Sequence, residues 1–550
     1  SPTSNNQLNY FLTKYESILV KTKEVSFVKT IELTSTLASL VSSNQGLSSY
    51  LKNLDRGREQ TPHSWLYEDE SSEQTLKRWL AKLENVKERD PQFGEAIYHF
   101  DYAQVAKFGP QGGIPPIDSA LEKLESQYSD ALPTPIFTTS EWAAAKNLAV
   151  KLLFGSRKRT LRPKSFEAVT DSMRDRDTDT SNSGIPDFTK RKKPEVRERA
   201  IQDAKTGRAY EYPAIILFRF YNGKLRPVWM FPMSTNLIEL SYEEVIMETL
   251  RNGSQKEFFA PWEGFDAVKQ TITNVWKSDL RGIGGDVSAM DANFRETQTL
   301  EVFDVLKEGF QEQYHADLKK SMLWINRIPI LVGHNKMIPE MPHGVASGSG
   351  WTQMVETVMQ FILYCVLLLR RQVTAMTAIG DDGATFFINL KKSRAAEMVD
   401  LFIKAGLPAN VDKQSDEENS LVFLQRKFFR GYWSRESETI LGGVYPTVRA
   451  LNSSLNPEKF HREGWNSDMF CVRQVMICEN TIDHPEFKEF VQFVAVGQKD
   501  LIPFAKQSAL SIDTAQRAAR LLPGLNPTYN QEKRDKPMSS FMTIQVMAAM

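Results

Sequence analysis

The sequence lacks several features that would point to particular classes of protein. Its 550 residues contain three cysteines (Cys365, Cys471 and Cys478), and no two of them stand in a CxxC spacing. A structural zinc site and a disulfide framework are therefore disfavoured, and a reducing, intracellular setting is favoured. The seven histidines are scattered and form no evident metal-ligand pair. A GxxxxGK[ST] phosphate loop is also missing, which disfavours a helicase.

The chain has neither an excess of charge nor a long apolar run. Lys and Arg number 68, as do Asp and Glu, so an anionic partner has to be met by local charge. The most apolar run, residues 358–369, is too short to span a bilayer and indicates a buried helix. With 41% hydrophobic and 25% charged residues, the composition is typical of a globular protein with a large core and several subdomains.

Positive charge is concentrated in one part of the chain. Residues 151–226 contain 19 Lys and Arg against 10 Asp and Glu, with dense clusters at 157–164 and 190–193. Each cluster by itself is equally consistent with a nuclear-import patch or a solvated face.

At the end of this basic region, Asn222-Gly223 separates two runs rich in β-branched and aromatic residues, which predicts a two-residue hairpin. That register places Arg219 opposite Arg226 on the same face as Tyr221 and Lys224. Two facing arginines require an anion nearby, although a surface hairpin with its arginines extended into solvent is the alternative.

A second hairpin is predicted by residues 374–390, in which two β-rich runs flank Gly380-Asp381-Asp382-Gly383. Adjacent carboxylates repel each other, and their oxygens are the ligands that Mg²⁺ or Mn²⁺ prefers. A solvated acidic turn is the simpler alternative unless other acids complete the site.

Two further acids follow a hydrophobic approach that ends in Gly284-Gly285. We place Asp286 at a strand end and Asp291 at the entry of a helix, where Asp is also a common N-cap. Between these acids and the second hairpin, the segment 347–352 (SGSGWT) leads into a long apolar helix. Such a loop offers free N–H groups and hydroxyls to an anion, or it is simply a capped helix start.

The order of these parts resembles the motif series of viral RNA-dependent RNA polymerases. The series comprises a basic hairpin, two Asp five residues apart, a Ser-Gly loop with a Thr, and Gly-Asp-Asp. AGLPANVDKQ, with Lys413, and FLQRKFFRGY extend the resemblance over residues 219–432. The chain looks most like the picobirnavirus polymerases of double-stranded RNA viruses, with the partitivirus enzymes as the alternative.

The resemblance implies an α+β protein with a closed right-hand fold, in which the palm is a small antiparallel sheet and the thumb is helical. The expected parts are an N-terminal helical extension (1–75), fingers (76–274), palm (275–312), second fingers segment (313–343), second palm segment (344–440), and thumb with C-terminal tail (441–550). In the extension, residues 11–20 and 31–41 show helical spacing.

The resemblance also implies roles for single residues. The catalytic residues are expected to be Asp286, Asp381, Asp382 and Lys413, with Lys413 protonating the departing pyrophosphate. The ligands of Mg²⁺ or Mn²⁺ are expected to be Asp286, Asp381, Asp382 and the Val287 carbonyl. The nucleotide is expected to contact Arg219, Lys224, Arg226, Asp291, Ser347, Gly348 and Thr352. The primer or product strand is expected to be supported by Arg426 and Lys427.

One position departs from the family pattern. Many members carry Asn four residues after the motif Thr, where it links the second Asp to the ribose 2′-hydroxyl, whereas this chain carries Glu356. Sugar selection is therefore expected to run through Thr352 or Ser347. The uncharged C-terminal stretch, residues 538–550, is expected to pack toward the cavity and support starting without a primer, or to be a frayed tail.

The implied function is template-directed RNA synthesis that replicates and transcribes a double-stranded RNA virus genome. The expected partners are RNA, ribonucleoside triphosphates and viral capsid protein, without a membrane, and the expected location is the virion interior and the host cytoplasm. A reverse transcriptase shares the palm acids and is the alternative among enzymes. A non-catalytic RNA-binding or capsid-associated scaffold is the alternative outside them.

Overall fold

Helices and short strands are mixed along the chain in the computed structural model, which describes residues 28–176, 178–459, 465–520 and 536–550. The α-helices of these residues are α1 (Ser35–Ser43), α2 (Gln45–Asn53), α3 (Ser72–Leu83), α4 (Val86–Arg89), α5 (Gly94–Tyr102), α6 (Ile117–Ala120), α7 (Glu125–Tyr128), α8 (Ser140–Phe154), α9 (Phe166–Asp175), α10 (Pro194–Thr206), α11 (Met233–Arg251), α12 (Phe265–Val275), α13 (Met290–Asn293), α14 (Glu296–Leu306), α15 (His315–Trp324), α16 (Trp351–Leu369), α17 (Ala395–Lys404), α18 (Thr447–Leu455), α19 (Ser467–Glu479), α20 (Phe487–Ala495), α21 (Leu501–Ala505), α22 (Ala509–Arg520) and α23 (Met542–Ala548).

The strands are β1 (Ala214–Tyr221), β2 (Lys224–Met230), β3 (Leu280–Asp286), β4 (Ile330–Gly333), β5 (Lys336–Ile338), β6 (Val373–Ile379), β7 (Asp382–Ile388), β8 (Ser415–Asp416), β9 (Ser420–Phe423), β10 (Arg426–Ser434) and β11 (Ser437–Val444). The described strands form three small sheets, with the orders β2-β1-β4-β5, β6-β7-β3-β8 and β11-β10-β9. Every pair in the β6-β7-β3-β8 sheet is antiparallel, as predicted for the palm.

Helix α16 lies in the largest apolar core of the protein and packs against β6 of the palm sheet. Among the described helices, it alone is long and apolar enough to cross a membrane, and 83% of its most apolar stretch is buried within the protein. The predicted buried helix at 358–369 is thus the C-terminal part of α16. The polar exceptions inside it, Glu356, Thr357 and Gln360, all belong to the side that meets the functional site described below.

Strands β1 and β2 form the predicted hairpin with its turn at Asn222-Gly223. Both turn residues have positive φ, of 50° and 73°, which is the backbone conformation of a tight hairpin turn. The register pairs Arg219 with Arg226 and Tyr221 with Lys224, as the two-residue turn requires. Because alternate residues of a strand share one face, these four side chains lie on the same side of the hairpin.

The tip of this hairpin is tied to the helical C-terminal region. The Gln111 side chain accepts a hydrogen bond from the Asn222 N–H at 2.9 Å and donates one to the Asn456 carbonyl at 2.6 Å. Arg219 donates two hydrogen bonds to the Glu458 carboxylate, at 2.7 and 2.9 Å. These contacts join the segments predicted as fingers and thumb, as a closed hand requires.

The two ends of the chain are ordered where the structure describes them. The predicted helix at 11–20 lies outside the described residues. In the predicted helix at 31–41, the helix begins only at Ser35, because Ile31 instead pairs with Met337 at the edge of the β2-β1-β4-β5 sheet. The C-terminal side chains Met538, Phe541, Ile544 and Met547 are buried among the thumb helices, so this part of the tail is packed and not frayed.

Candidate active site

Four acidic side chains meet at one end of the palm sheet. Asp286 is the last residue of β3 and lies directly opposite Asp382, the first residue of β7. Asp381 is the second residue of the two-residue turn between β6 and β7, directly before Asp382. Asp291 follows β3 on the short helix α13. The predicted convergence of the two strand ends is therefore confirmed. The turn is tighter than predicted, because Asp382 already belongs to β7.

The like charges of these acids disturb one another. Burial, followed by Asp291 and Asp286, raises the pKa of Asp381 to about 6. Burial and the neighbouring Asp381 and Asp286 also raise the pKa of Asp382, and burial raises the pKa of Asp286. When carboxylates repel one another in this way, a cation placed between them stabilises their ionised forms.

Neutral side chains hold the acids in position. On α16, the Thr357 hydroxyl accepts a hydrogen bond from the Gly380 N–H at 2.9 Å. The Gln360 amide donates to the carbonyls of Gly380 and Asp382 at 2.6 and 3.1 Å. The Gln414 amide accepts from the Asp286 N–H at 2.9 Å and donates to the Asp286 carbonyl at 2.8 Å. Both acid-bearing strand ends are therefore fixed through their backbones, which leaves the carboxylates available to a ligand.

Asp291 and Glu356 form a hydrogen-bonded carboxyl pair. Burial raises the pKa of Glu356 far above its usual range, and the adjacent Asp291 raises it further. The pKa of Asp291 is raised by burial, while the hydrogen bond from Glu356 and the nearby Arg226 lower it. Burial and mutual repulsion disfavour two negative charges here, so the two carboxyl groups titrate as a pair and hold a proton more readily than an isolated carboxyl group.

This pair corrects one expectation from the sequence. Glu356 does contact Asp291, so it stands where the family pattern has the amide donor of Asn. Thr352 is buried beneath the loop, and its hydroxyl donates to the Ala346 carbonyl at 2.5 Å. Its predicted contact with ribose or template base does not fit this placement, and Thr352 instead supports the loop.

The Ser347–Ser349 turn lies against strand β2 of the fingers. The Ser347 carbonyl accepts a hydrogen bond from the Trp229 N–H at 2.6 Å. Gly348 is exposed with φ of 115°, and a Cβ on this residue would overlap the Trp229 carbonyl oxygen. Glycine is required here both by the backbone conformation and by the close approach of β2. Ser347 and Gly348 remain the predicted contacts of the nucleotide.

Cationic side chains face the acids from two directions. Arg226 lies close enough to Asp291 and Asp381 to lower the pKa of both carboxyls against the opposing effect of burial. Lys413, at the end of a 3-10 turn, and Lys224, on the hairpin, act in the same way on Asp286. All three cationic residues are exposed, so their side chains are accessible to a ligand.

Of three further residues predicted for the site, two are placed differently. The anion that Arg219 requires is Glu458 of the chain itself, so Arg219 joins fingers to thumb and its predicted grip on the triphosphate is not supported by this placement. Arg426 begins the predicted β9–β10 strand pair, but it is only 2% exposed, and its guanidinium lies 3.7 Å from the centre of the Phe265 ring. Arg426 therefore packs inside the protein, and its predicted support of the primer or product strand stays a prediction. Lys427 is partly exposed and remains a prediction.

The comparisons with known proteins agree with this geometry. Residues 221–439 match the family model described as viral RNA-dependent RNA polymerase. Over 510 residues, the chain is 25% identical to the potential RNA-dependent RNA polymerase of a human picobirnavirus (strain Human/Thailand/Hy005102/-), covering 87% of this chain and 90% of that protein. The chain is an RNA-dependent RNA polymerase, similar over residues 221–439 to the viral enzymes. The prediction from the order of the motifs is confirmed, as is the similarity to picobirnavirus polymerases.

Solved structures show the fold of this polymerase. The crystal structure of the RNA-dependent RNA polymerase of a human picobirnavirus superposes with a TM-score of 0.76 at 21% identity, covering 94% of this chain and 100% of that one. The insertion loop deletion mutant of the RNA-dependent RNA polymerase of a human picobirnavirus gives a TM-score of 0.74 at 21% identity and the same coverage. The predicted right-hand fold is confirmed, while the domain boundaries predicted from the sequence stay predictions.

Polymerases of this family depend on divalent metal ions, and the acids described above suit that requirement. Within the described residues, no group of three or more His, Cys, Asp or Glu side chains is arranged to enclose an ion by itself. Mg²⁺ usually keeps several waters and takes one or two carboxylates together with substrate phosphates. The facing pair Asp286 and Asp382, with Asp381 beside them, fits such a shared site better than a closed protein cage.

Sequence reasoning missed two cationic residues beside the hairpin tip. A Cβ on Gly223 would lie 3.9 Å from the Lys107 Cα, and Arg449 projects from α18 of the thumb. Partial burial, then Arg449, Lys224 and Arg226, lower the pKa of Lys107, so these four cations lie near one another. Lys107 stands in no charged cluster of the sequence, and only the closed fold brings it to the site.

Proposed function

We propose that this polymerase makes RNA on an RNA template by a two-metal nucleotidyl transfer, and that it both replicates and transcribes a double-stranded RNA genome. The observation that carries the proposal is the antiparallel register that sets Asp286 opposite Asp382, with Asp381 in the adjoining turn. In the reaction, a 3′-hydroxyl oxygen bonds to the α-phosphorus of a ribonucleoside triphosphate while the bond to the pyrophosphate oxygen breaks.

The acids would hold two Mg²⁺ or Mn²⁺ ions through Asp286, Asp381 and Asp382, with the Val287 carbonyl as a further ligand. Bound cations supply positive charge that neutralises the attacking and leaving oxygens. The backbone hydrogen bonds from Gln414 and from the α16 side chains keep the carboxylates in place before any ligand arrives. This preorganisation reduces the cost of assembling the site.

The nucleotide would lie between the acids and the basic hairpin. Arg226 and Lys224 would bind the triphosphate, because both are exposed and near the acids. Lys413 faces Asp286 and would give its proton to the departing pyrophosphate oxygen. Asp291 would accept from the ribose 2′-hydroxyl, a group that only a ribonucleotide carries, while Ser347 and Gly348 would hold the ribose and the template base.

We also propose that the polymerase starts without a primer, and that it works in the virion interior and the host cytoplasm beside capsid protein. The closed hand supports the first point, because Gln111 and the Arg219–Glu458 pair join the hairpin to the segment predicted as thumb. The C-terminal segment packs among the helices predicted as thumb, and its predicted support of primer-independent initiation is part of this proposal. The proposed location beside capsid protein follows from the proposed template, because a double-stranded genome enclosed in a capsid has to be copied there.

The test is incorporation of ribonucleotides on a single-stranded RNA template, with and without a primer and with Mg²⁺, Mn²⁺ or chelator. The parent protein is expected to synthesise RNA only with a divalent ion, and Asp381→Asn to lose that synthesis. Asp55→Asn, an exposed acid in a distant turn, is the matched control and should match the parent. Metal-independent synthesis, or an Asp381→Asn variant with parental activity, would contradict the proposal. Synthesis confined to primed templates would contradict primer-independent initiation alone.

A further inference from the structure

A buried carboxyl group outside the catalytic set accepts hydrogen bonds from the 347–350 loop. Glu239 lies in the fingers helix α11 and is 1% exposed. Its Oε2 accepts a hydrogen bond from the Ser349 hydroxyl, and its Oε1 accepts one from the Gly350 N–H at 3.1 Å. Ser349 in turn accepts from the Trp351 N–H at 3.0 Å, at the first turn of α16. Glu239 thus joins three elements: the fingers helix, the loop and the long palm helix.

Further polar residues of the fingers position the Glu239 carboxyl group through hydrogen bonds. The Asn236 amide donates to Glu239 Oε1 at 2.8 Å and to the Gly348 carbonyl at 3.5 Å. Arg191, from the basic cluster at 190–193, donates to the Asn236 side-chain oxygen at 2.8 Å and to the Asn182 carbonyl at 3.1 Å. The fingers therefore contribute a connected polar network that ends at the loop. A network of this kind fixes geometry because each member restricts the next.

The loop has few other ways to keep its shape. Gly348 and Gly350 flank Ser349, and glycine-rich backbone has many accessible conformations when it is not bonded. On the fingers side, the hydrogen bonds from the Asn236 amide to the Gly348 carbonyl and from the Trp229 N–H to the Ser347 carbonyl also hold the loop. A Cβ added to Gly350 would lie 2.7 Å from Glu243 Oε2, so α11 approaches this part of the loop closely. The fingers helix is therefore the surface against which the loop is set.

We propose that Glu239 is a positioning residue of the nucleotide site, which fixes the 347–350 loop to the fingers so that Ser347 and Gly348 meet the incoming nucleotide and template base. The inference rests on the proposed function, because it assumes that this loop contacts the nucleotide. It adds a residue that the sequence did not single out, in a helix that precedes the catalytic acids. It also assigns a role to Arg191, as the outer member of the same network.

The titration of Glu239 supports this role. Burial raises its pKa to about 7, while its hydrogen bonds and the charge of Arg191 act in the opposite direction. The other ionisable groups that face it are Glu243, whose own pKa is raised far above its usual range by burial, and Tyr210. As the pH falls through about 7, the carboxylate gains a proton and loses part of its capacity to accept from Ser349 and Gly350. The loop should therefore loosen in mild acid.

The test compares Glu239→Gln, Ser349→Ala and the double variant with the parent polymerase. Each single variant is expected to raise the KM for ribonucleoside triphosphates about 3- to 10-fold, the net cost of one ordinary hydrogen bond, while kcat changes less than about twofold. The double variant should be no worse than the more severe single one, because both remove the same bond. In the parent, KM should rise as the pH falls from about 8 to about 6 because Glu239 gains a proton. The KM of Glu239→Gln should lack this part of the pH dependence.

Glu248→Gln is the matched control, because Glu248 lies on the same helix with its side chain 62% exposed. It should keep parental KM, and the melting temperatures of all variants should be recorded. A parental KM in Glu239→Gln, strictly additive single effects, or an equal loss of kcat and stability without a change in KM would each overturn the inference. Equilibrium binding of ATP with Mg²⁺ and a template oligonucleotide gives the same comparison without turnover. If the parent binds ATP but makes no RNA, the proposed function is refuted. The binding comparison between the parent and Glu239→Gln then still tests the role of Glu239.

Discussion

Replacing Asp381 by Asn should make the metal-free polymerase more stable while abolishing RNA synthesis. Burial, with the charges of Asp291 and Asp286, raises the pKa of this carboxyl from 3.8 to about 6. Because the pKa is higher in the folded state than in the unfolded state, ionised Asp381 opposes folding. The penalty is complete above about pH 6 and disappears as the pH falls below about 4.

The magnitude follows from the same values. The difference between 3.8 and about 6 corresponds to roughly 3 kcal/mol. The Asp381 side chain is exposed to the solvent of the cavity even though much protein surrounds it, so screening reduces the penalty to about 1 kcal/mol. For a chain of this length, that free energy corresponds to an increase in Tm of about 1 °C.

The assay is thermal unfolding in chelator at about pH 7.5 and about pH 4.5, followed by titration with Mg²⁺. Asp381→Asn should exceed the parent in Tm at the higher pH, and the difference should shrink at the lower pH. Mg²⁺ should raise the Tm of the parent and have much less effect on the variant, because a ligand that binds only the folded state stabilises it. Equal Tm values in chelator, together with an unchanged response to Mg²⁺, would refute the electrostatic reasoning.

Three further predictions concern the nucleotide site. Gly348→Ala should reduce kcat/KM at least about 100-fold, because the added methyl group overlaps the Trp229 carbonyl and the backbone conformation is strained; steady-state kinetics would show this. Asp291→Ala should lower the preference for ribonucleotides over deoxyribonucleotides about 10-fold and leave residual synthesis, as competition assays would reveal. Lys107→Ala should raise the KM for nucleoside triphosphates about 2- to 5-fold and weaken inhibition by pyrophosphate similarly, because one cation near the hairpin tip is lost.

Each of these variants has a control of the same chemical type. Gly333→Ala adds a methyl group that meets only the Lys336 Cβ at 3.4 Å, so it should leave activity unchanged. Asp55→Asn and Lys77→Ala change exposed charges far from the palm. An active Gly348→Ala enzyme would contradict the close packing of the loop on β2. Unchanged sugar discrimination in Asp291→Ala would contradict its assignment, and a loss of RNA affinity instead of nucleotide affinity in Lys107→Ala would place that lysine on the RNA.

The parts of the site that were predictable depend on contacts between residues close in sequence. The turn at Asn222-Gly223 sets the register that pairs Arg219 with Arg226, and this pairing is present as predicted. The hairpin that carries Asp381 likewise follows from its own glycine and its β-rich flanks. Both depend on local backbone preferences, which a tertiary fold seldom overrides when the turn residues are favourable.

The errors arose where a side chain found a partner far away in the chain. Arg219 needed an anion, as predicted, but Glu458 supplies it from 239 residues away. Arg426 was predicted to support the primer or product strand because its strand pair was recognised, and the fold buries its guanidinium against Phe265. Glu356 was treated as a missing amide, whereas the fold sets it beside Asp291, where burial and that neighbour raise its pKa. No local pattern reports which of several possible partners a charged group will meet.

The sequence by itself determined the class of enzyme, the two hairpins and the identity of the acids, because motif spacing and turn chemistry are properties of short segments. Only the tertiary structure decided which cations face those acids, which arginine is already neutralised, and how Glu239 reaches the 347–350 loop. The physical reason is that the charge state of a buried group depends on its distance to other charges and to water. Those distances are set when segments hundreds of residues apart pack together.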